Sequence, residues 1–109
     1  MATSAEVDAF LKMAKSLLVA GKYRILDQKS KYLSTLSQLG ILKQDVLDDL
    51  MALSVHENWR KEKDNNPQFP GYIWKCKKQL HGTCIYIKLK LRWPSNDILL
   101  VMSYHIDNI

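Results

Sequence analysis

One stretch near the C-terminus constrains the fold most, because its side chains alternate strictly between two chemical classes. The apolar set is Ile85, Ile87, Leu89 and Leu91, and the intervening polar set is Tyr86, Lys88, Lys90 and Arg92. Successive side chains of a β-strand point to opposite faces of a sheet, so this period of two predicts a strand with one apolar and one basic face. The apolar face needs a cover, and the basic face needs water or an anionic partner.

Two further strands are predicted on either side of this one. The segment Tyr72 to Leu80 places Lys75 and Lys77 on the same side of a strand, and His81-Gly82 fits a two-residue hairpin turn after it. The later run Ile98 to Ile106 is apolar enough for a central strand of a sheet. Three consecutive strands joined by short turns indicate an antiparallel sheet in the C-terminal part.

The N-terminal part has helical patterning instead. Thr3 and Glu6 have the spacing of a capping box, and apolar residues then recur at helical intervals until Gly21 supplies a left-handed cap. Tyr23 to Leu26 is predicted as a short edge strand, and a second helix is predicted to end at Gly40.

A third helix is predicted around Val46 to Leu53, and its three aspartates are expected on the solvated side: Asp45, Asp48 and Asp49. The segment Asn58 to Gly71 has charged and turn-forming residues without periodicity, so we expect a loop there. The chain is therefore predicted to be one α+β domain over residues 1–109, with N-terminal helices packed on one face of a C-terminal antiparallel β-sheet.

The positive charge is concentrated in the predicted sheet. The formal net charge is +5, and the 38 residues after Gly71 hold six lysines and arginines against two acidic residues, whereas the residues up to Gly71 hold ten against nine. Clustered cations gain affinity for phosphates by releasing condensed counterions, so nucleic acid is the leading candidate partner. The alternative is a basic surface that only keeps a small protein soluble.

Several classes of protein are disfavoured by what the sequence lacks. No apolar run approaches the ~20 residues needed to cross a bilayer, and the N-terminus has no secretory pattern, so we expect a cytoplasmic protein without membrane contact. Cys76 and Cys84 are too few for a four-ligand zinc site without suitably spaced histidines, and we expect them to be reduced. No glycine-rich phosphate loop or carboxylate pair of a metal-dependent nuclease is present, so neither a metal nor a cofactor is expected.

The predicted sheet brings together side chains that suit RNA chemistry. If the central strands pair with their apolar faces aligned, the face away from the helices carries Lys75, Tyr86, Lys88 and His105. Cleaving RNA without a metal requires a base for the ribose 2′-hydroxyl, cations for the phosphoryl oxygens and an acid for the departing 5′-oxygen. An imidazole both accepts and donates protons near neutral pH, which makes His105 the best acid/base candidate.

The chain also resembles a known family over the region from about Gly21 to the C-terminus. The blocks that carry the resemblance are Leu39-Gly40-Ile41, Val46 to Ser54, Glu57-Asn58-Trp59-Arg60, Tyr72-Ile73-Trp74-Lys75, Ile85-Tyr86-Ile87-Lys88 and Ile98 to His105. In order and spacing they are similar to those of the MqsR branch of the RelE-like toxins. The resemblance implies a RelE-like fold, endoribonuclease activity on messenger RNA, on the ribosome or free, and neutralisation by a cognate antitoxin protein in a type II toxin–antitoxin pair.

The resemblance also implies roles for particular residues. Arg60 stands where the family has a basic residue after an aromatic one, and Tyr86 matches the family tyrosine. Lys75 replaces a glutamine and His105 replaces a lysine, so two positions depart from the family pattern. The predicted catalytic residues are His105, Tyr86, Lys75 and Arg60. The predicted RNA-binding residues are Lys77, Lys88, Lys90 and Arg92.

Each of these residues has a plainer interpretation as well. His105 could be an ordinary surface or hydrogen-bonded residue, and Tyr86 could simply cover a sheet face. Lys88, Lys90 and Arg92 could form a solvated edge, and Arg60 could belong to a solvated helix end. Two other functions use the same features. One is a non-catalytic module that binds RNA or the ribosome through the basic sheet, and the other is a protein-interaction domain whose basic face docks an acidic partner.

Overall fold

The chain forms three helices and five strands over residues 2–26 and 30–107, the part that the computed structural model describes. In chain order they are α1 (Ser4–Val19), β1 (Tyr23–Ile25), α2 (Ser30–Leu39), α3 (Lys43–Met51), β2 (Arg60–Lys63), β3 (Tyr72–Leu80), β4 (Thr83–Leu91) and β5 (Leu99–Ile106). The fold class is α+β, as predicted. Within the described ranges, no helix has the length and apolar character that crossing a membrane requires.

The first helix begins and ends as its sequence predicts. The Thr3 side chain accepts a hydrogen bond from the Glu6 amide at 3.2 Å, and the Glu6 carboxylate accepts one from the Thr3 amide at 3.3 Å. These two bonds satisfy amides that have no partner inside the helix. Gly21 follows the C-cap with a φ of +74°, which a residue without a Cβ adopts at little cost. Gly40 ends α2 with a φ of +67° in the same way.

The five strands form one sheet in the order β1-β5-β4-β3-β2. Strands β2 to β5 pair antiparallel, and the hairpin between β3 and β4 turns on His81 and Gly82, both of which have positive φ as a type I′ turn requires. The edge strand β1 instead pairs parallel with β5, so the prediction of a purely antiparallel sheet is wrong. Helices α2 and α3 separate β1 from the other four strands in the chain, so β1 is not joined to them by a tight turn.

The segment from Asn58 to Gly71 is not wholly a loop, because it contains β2. The Lys61 ammonium lies 4.4 Å from the centroid of the Tyr72 ring and 5.3 Å from that of Trp74, and it forms an ion pair with Glu6 at 2.6 Å. Lys61 thus lies over the two rings, where an apolar side chain would be expected on this edge strand. The strand therefore has no alternating apolar pattern that the sequence could reveal.

Helices α1 and α3 cover the apolar face of the sheet. Phe10 of α1 stacks on Trp74 with ring centroids 4.5 Å apart, and buried residues of the helices and the sheet form one hydrophobic cluster. On α3, Asp49 accepts a hydrogen bond from the Tyr104 hydroxyl at 2.6 Å and lies 2.8 Å from Nε2 of His81. The Asp49 side chain is only 14% exposed, so the prediction that all three aspartates of α3 are solvated is wrong for this one.

Helix α2 lies against the edge of β5 rather than on a face. Strand β1 pairs with β5 only from Leu99 to Val101, which leaves the rest of that edge without a strand partner. The fully buried Thr35 of α2 accepts a hydrogen bond from the Ile106 amide at 2.9 Å. A backbone donor that would otherwise be exposed at a sheet edge is thereby satisfied.

Candidate functional site

The sheet face opposite α1 and α3, here called the basic face, carries a line of like charges across three strands. Arg60 of β2 lies directly opposite Lys75 of β3, and Lys75 lies directly opposite Lys88 of β4. We call these three residues the cation row. Like charges in directly opposed positions of a sheet destabilise it, so this arrangement has an electrostatic cost that a bound anion would reduce.

A second line of side chains runs beside the cation row. Lys77 lies opposite Tyr86, and Tyr86 lies opposite His105 of β5. The rings of Tyr86 and His105 are 5.3 Å apart between centroids and inclined by 53°, and we call them the ring pair. Along β4 the ring pair and the cation row are two residues apart, which is about 7 Å in a strand. Lys75, Lys88 and the ring pair are therefore neighbours on one face, whereas Arg60 lies three strands away from His105, about 14 Å across the sheet.

The imidazole of His105 is oriented by its own backbone. Its Nδ1 lies 2.9 Å from the carbonyl oxygen of Ile106. Because a carbonyl oxygen only accepts, Nδ1 must be the donor and carries the hydrogen. The other nitrogen, Nε2, is then the atom that accepts a proton in the neutral ring and donates one in the charged ring. His105 is half-buried, so its ring is partly accessible from the basic face.

Lys75 is the most strongly fixed cation of the row. Its ammonium donates to Glu62 at 2.6 Å, and this hydrogen bond, together with the nearby Tyr86 hydroxyl, raises the pKa of Lys75. The same contact lowers the pKa of Glu62. Lys75 therefore stays charged and suits the stabilisation of a phosphate rather than the removal of a proton. Glu62 was not predicted as part of the site. Its position on the same face as Arg60 can be inferred only when β2 is known to be a strand.

The other predicted cations divide into two groups. Arg60 is exposed and makes no ion pair with any described residue, and Lys77 pairs with Asp107 at 3.0 Å while remaining 59% exposed. Lys90 differs, because its side chain is only 3% exposed and donates to Asp64 at 2.7 Å. The expectation that Lys90 lies on an accessible basic face is wrong, because the loop between β2 and β3 covers it.

Arg92 lies at the far end of the same strand face. Its guanidinium holds the Asp97 carboxylate through two nitrogen donors at 2.9–3.2 Å, in a pair that is about half exposed. The ring pair is six residues away along β4, which is about 20 Å of strand. The structure therefore brings together six of the eight predicted residues and separates Lys90 and Arg92 from them.

The basic face is not flat around the ring pair. A groove of about 800 Å³ extends from the basic face, where Arg60, Lys75 and Tyr86 line it, to the helix side of the sheet, where Val7 and Cys76 line it. A hollow of about 440 Å³ between β5 and α2 is lined by Lys31 and His105 among others. The ring pair stands between them, with one ring on each. A chain of nucleotides laid across the rings would have room on both sides.

The two cysteines lie on opposite sides of the sheet. Cys76 is buried in the core beneath the helices, whereas Cys84 is half-buried on the basic face, where it lies opposite Gln79. Side chains on opposite faces cannot approach to the distance of a disulfide. Among residues 2–26 and 30–107, no group of three histidine, cysteine or acidic side chains is placed to hold a metal ion.

The geometry of the site is thus defined by the cation row, the ring pair and Lys77. Comparisons with known proteins add no family or relative to this description. No protein-family model, curated protein or solved structure matches the chain.

Proposed function

We propose that this chain is a metal-independent endoribonuclease that cleaves messenger RNA and acts as the toxin of a type II toxin–antitoxin pair. The observation that supports this most is the placement of the ring pair beside the cation row on a single face of the sheet. A protein that only displayed positive charge would have no need of an oriented imidazole and a phenol between its cations.

The chemistry follows from the groups present. A base takes the proton of the ribose 2′-hydroxyl, and the 2′-oxygen attacks the adjacent phosphorus. The bond from phosphorus to the 5′-oxygen then breaks, and that oxygen takes a proton from an acid. The products are a 2′,3′-cyclic phosphate and a 5′-hydroxyl, and water opens the cyclic ester to a 3′-phosphate. His105 makes one of the two proton transfers through Nε2, because its Nδ1 is held by the Ile106 carbonyl, and the Tyr86 hydroxyl beside it serves the other.

The cations stabilise the charge that develops on the phosphoryl oxygens. Lys75 is fixed by Glu62 and stays protonated, so it donates to a phosphoryl oxygen without reorganising. Arg60 presents a planar set of donors that suits two oxygens of one phosphate. Tyr86 lies between Lys75 and His105 and positions the scissile ribose, while Lys77 and Lys88 neutralise the neighbouring phosphates.

The toxin role has separate support. The blocks that resemble MqsR-family toxins include all residues of the cation row and the ring pair. They are Glu57-Asn58-Trp59-Arg60, Tyr72-Ile73-Trp74-Lys75, Ile85-Tyr86-Ile87-Lys88 and Ile98 to His105. A nuclease of this kind needs an inhibitor, and a partner with an acidic surface would complement the basic face. The expected partners are therefore messenger RNA, with or without the ribosome, and a cognate antitoxin protein.

The test is cleavage of messenger RNA by the purified protein, on free RNA with and without EDTA and on ribosome-bound RNA with and without ongoing translation, because ribosomes need Mg²⁺ and dissociate in EDTA. We expect 5′-hydroxyl and cyclic-phosphate ends, unchanged by EDTA, and a rate lowered ~10²–10⁴-fold by His105→Ala or Tyr86→Phe. Matched controls are His56→Ala and Tyr72→Phe, both exposed and away from the ring pair. Their rates should equal that of the native protein.

Two outcomes would count against the proposal. Intact RNA under all four conditions, with tight binding retained, would instead favour a non-catalytic RNA- or ribosome-binding module. Cleavage that His105→Ala leaves unchanged, in a variant shown to be folded, would remove the ring pair from the mechanism.

A further inference from the structure

The loop between β2 and β3 is fastened onto the basic face next to the cation row. The Asp64 amide donates to the Gly71 carbonyl at 2.8 Å, which closes residues 64–71 into a compact loop. The buried Lys90 ammonium donates to both the Asp64 carboxylate and the Phe69 carbonyl. We call residues 64–71 the clipped loop. A lysine of the central strand thus fixes the position of a segment about 20 residues earlier in the chain.

The clipped loop carries an exposed aromatic side chain, Phe69, and a second exposed aromatic side chain, Trp93, lines the same hollow. Phe69 is 61% exposed and Trp93 is 57% exposed, although large aromatic residues are usually mostly buried. Both line a hollow of about 240 Å³ whose floor includes the apolar side chains Leu100 and Met102. Neither ring stacks on another aromatic ring within residues 2–26 and 30–107, and we call this hollow the aromatic cleft.

The packing of Gly71 keeps the two sides of the cleft close. A Cβ added to Gly71 would lie 3.7 Å from the Cβ of Trp93 and 3.5 Å from Cε of Lys90, and Gly71 has a φ of +120°. A residue with a side chain would strain the backbone at this φ, although its Cβ would make only ordinary van der Waals contact with Lys90 and Trp93. Gly71 therefore brings the backbone of the clipped loop close to Trp93, so the same segment joins the two sides of the cleft.

The cleft adjoins the cations on the same face. Lys90, on which the clipped loop rests, follows Lys88 of the cation row by two residues and Tyr86 of the ring pair by four. These separations are about 7 Å and 14 Å along a strand. A single strand of RNA whose phosphates follow the cation row would carry a neighbouring base over the cleft. Apolar aromatic surface next to a line of cations is the combination that binds single-stranded nucleic acid.

We propose that the aromatic cleft binds one unpaired nucleobase that flanks the cleaved phosphodiester, by stacking it against Phe69 and Trp93. This inference rests on the proposed function and adds a substrate class, namely single-stranded RNA with an accessible base at a fixed distance from the cut. A base inside a duplex is already stacked and cannot enter. Lys90 is a positioning residue for the cleft and touches no substrate.

The test uses a short unstructured RNA in which every ribose is 2′-O-methylated, because its 2′-oxygen cannot attack and binding is separated from cleavage. Trp93 is the exposed tryptophan, whereas Trp59 and Trp74 are 6% and 7% exposed, so quenching of fluorescence on titration reports the cleft. A series of the same oligonucleotide, each lacking one base but keeping its phosphates, locates the base that stacks.

We expect one abasic position to remove most of the quenching and to weaken binding roughly 5- to 100-fold, the worth of one base on an aromatic ring. Trp93→Leu and Phe69→Leu should weaken binding by a similar factor and make that abasic position nearly neutral, and their affinities are measured by the anisotropy of a labelled oligonucleotide because Trp93→Leu removes the reporter. The matched control is Tyr72→Leu, an aromatic residue 52% exposed on the helix side of the sheet, which should leave affinity unchanged. Lys88→Gln should weaken binding equally for every oligonucleotide of the series.

The outcomes separate this inference from the proposed function. Equal quenching by every abasic oligonucleotide, or native affinity in Trp93→Leu and Phe69→Leu, overturns the base-binding cleft even if the protein cleaves RNA. Position-specific quenching in a protein that cleaves no RNA supports the cleft and overturns the nuclease. Failure of the native protein to bind the methylated RNA overturns the cleft, and the cleavage assay then decides the nuclease separately.

Discussion

Replacing Lys90 by Met should destabilise the protein strongly, although the substitution adds an apolar side chain at a buried site. Lys90 is 3% exposed and Asp64 is 14% exposed, so the change leaves a carboxylate with little water and without its cation. Breaking a buried ion pair in this way costs ~3–5 kcal/mol. Because Asp64 belongs to a surface loop that can partly rehydrate, we expect a smaller loss than this range, about 2–3 kcal/mol. For a domain of this size that lowers Tm by about 10–20 °C.

Urea and thermal unfolding, followed by circular dichroism, measure this loss. Lys63→Met is the matched control, since Lys63 is an exposed lysine on β2 without an ion pair in the described part of the chain, and it should change stability by less than ~0.5 kcal/mol. Adding Asp64→Asn to Lys90→Met should restore part of the loss, because the uncompensated charge disappears. Equal unfolding midpoints for Lys90→Met and Lys63→Met would refute the reasoning.

The dependence of stability on acid pH tests the same contact between Lys90 and Asp64. The hydrogen bond from Lys90 lowers the pKa of Asp64 below its ordinary value of 3.8. The unfolded chain therefore binds this proton more readily than the native state, so the stabilisation is complete above about pH 4 and is lost as pH falls through the lower native pKa. Lys90→Met should remove the larger part of that acid-dependent component, whereas the hydrogen bond from the Asn66 amide, which also lowers the pKa of Asp64, is retained. A variant whose stability falls with acid as steeply as that of the native protein would contradict the assignment.

Three further predictions concern other parts of the molecule. Arg60→Gln should weaken binding of single-stranded RNA and reduce the slope of log affinity against log salt by about 0.7, the value for one phosphate contact, and an unchanged slope would remove Arg60 from the interface. Tyr104→Phe should cost about 1.5–3 kcal/mol in urea unfolding, because Asp49 loses a partly buried donor, and a neutral result would refute that role. Burial raises the pKa of the Cys76 thiol to about 12, so the unfolded chain loses this proton first and stability should fall as pH rises from 9.0 toward about 12. Cys76→Ala should show a shallower fall over that range, by up to ~1.4 kcal/mol per pH unit, and identical slopes in the two proteins would count against it.

The elements that the sequence predicted well are those in which local pattern and tertiary environment agree. The alternation in β4 survives because one of its faces is covered by helices along its length, and the hairpin turn at His81-Gly82 depends only on its own backbone. The capping box of α1 is likewise a contact within four residues. The candidate site follows from the same alternation, since Tyr86, Lys88 and their cross-strand neighbours share a face.

The features that were missed depend on contacts between distant segments. Strand β2 was hidden because Lys61 covers rings in place of an apolar side chain, and Glu62 was hidden with it. The burial of Lys90 could not be predicted, because Lys88 and Lys90 occupy the same face of one strand. Only the clipped loop, which covers Lys90, makes their environments different. The parallel pairing of β1 with β5 joins residues 23–25 to residues 99–101, and no local pattern indicates such a distant partner.

The position of β5 has a consequence for how the molecule assembles during synthesis. It is the last strand in chain order, yet it joins β1 to β4, and β1 pairs with no other strand. Before residues 99–106 emerge from the ribosome, the sheet exists at most as β2, β3 and β4, and His105 cannot reach Tyr86. A nascent chain therefore cannot acquire the ring pair ahead of the completed sheet, and any catalytic power that the pair confers appears in one step, when that strand has left the ribosome and paired.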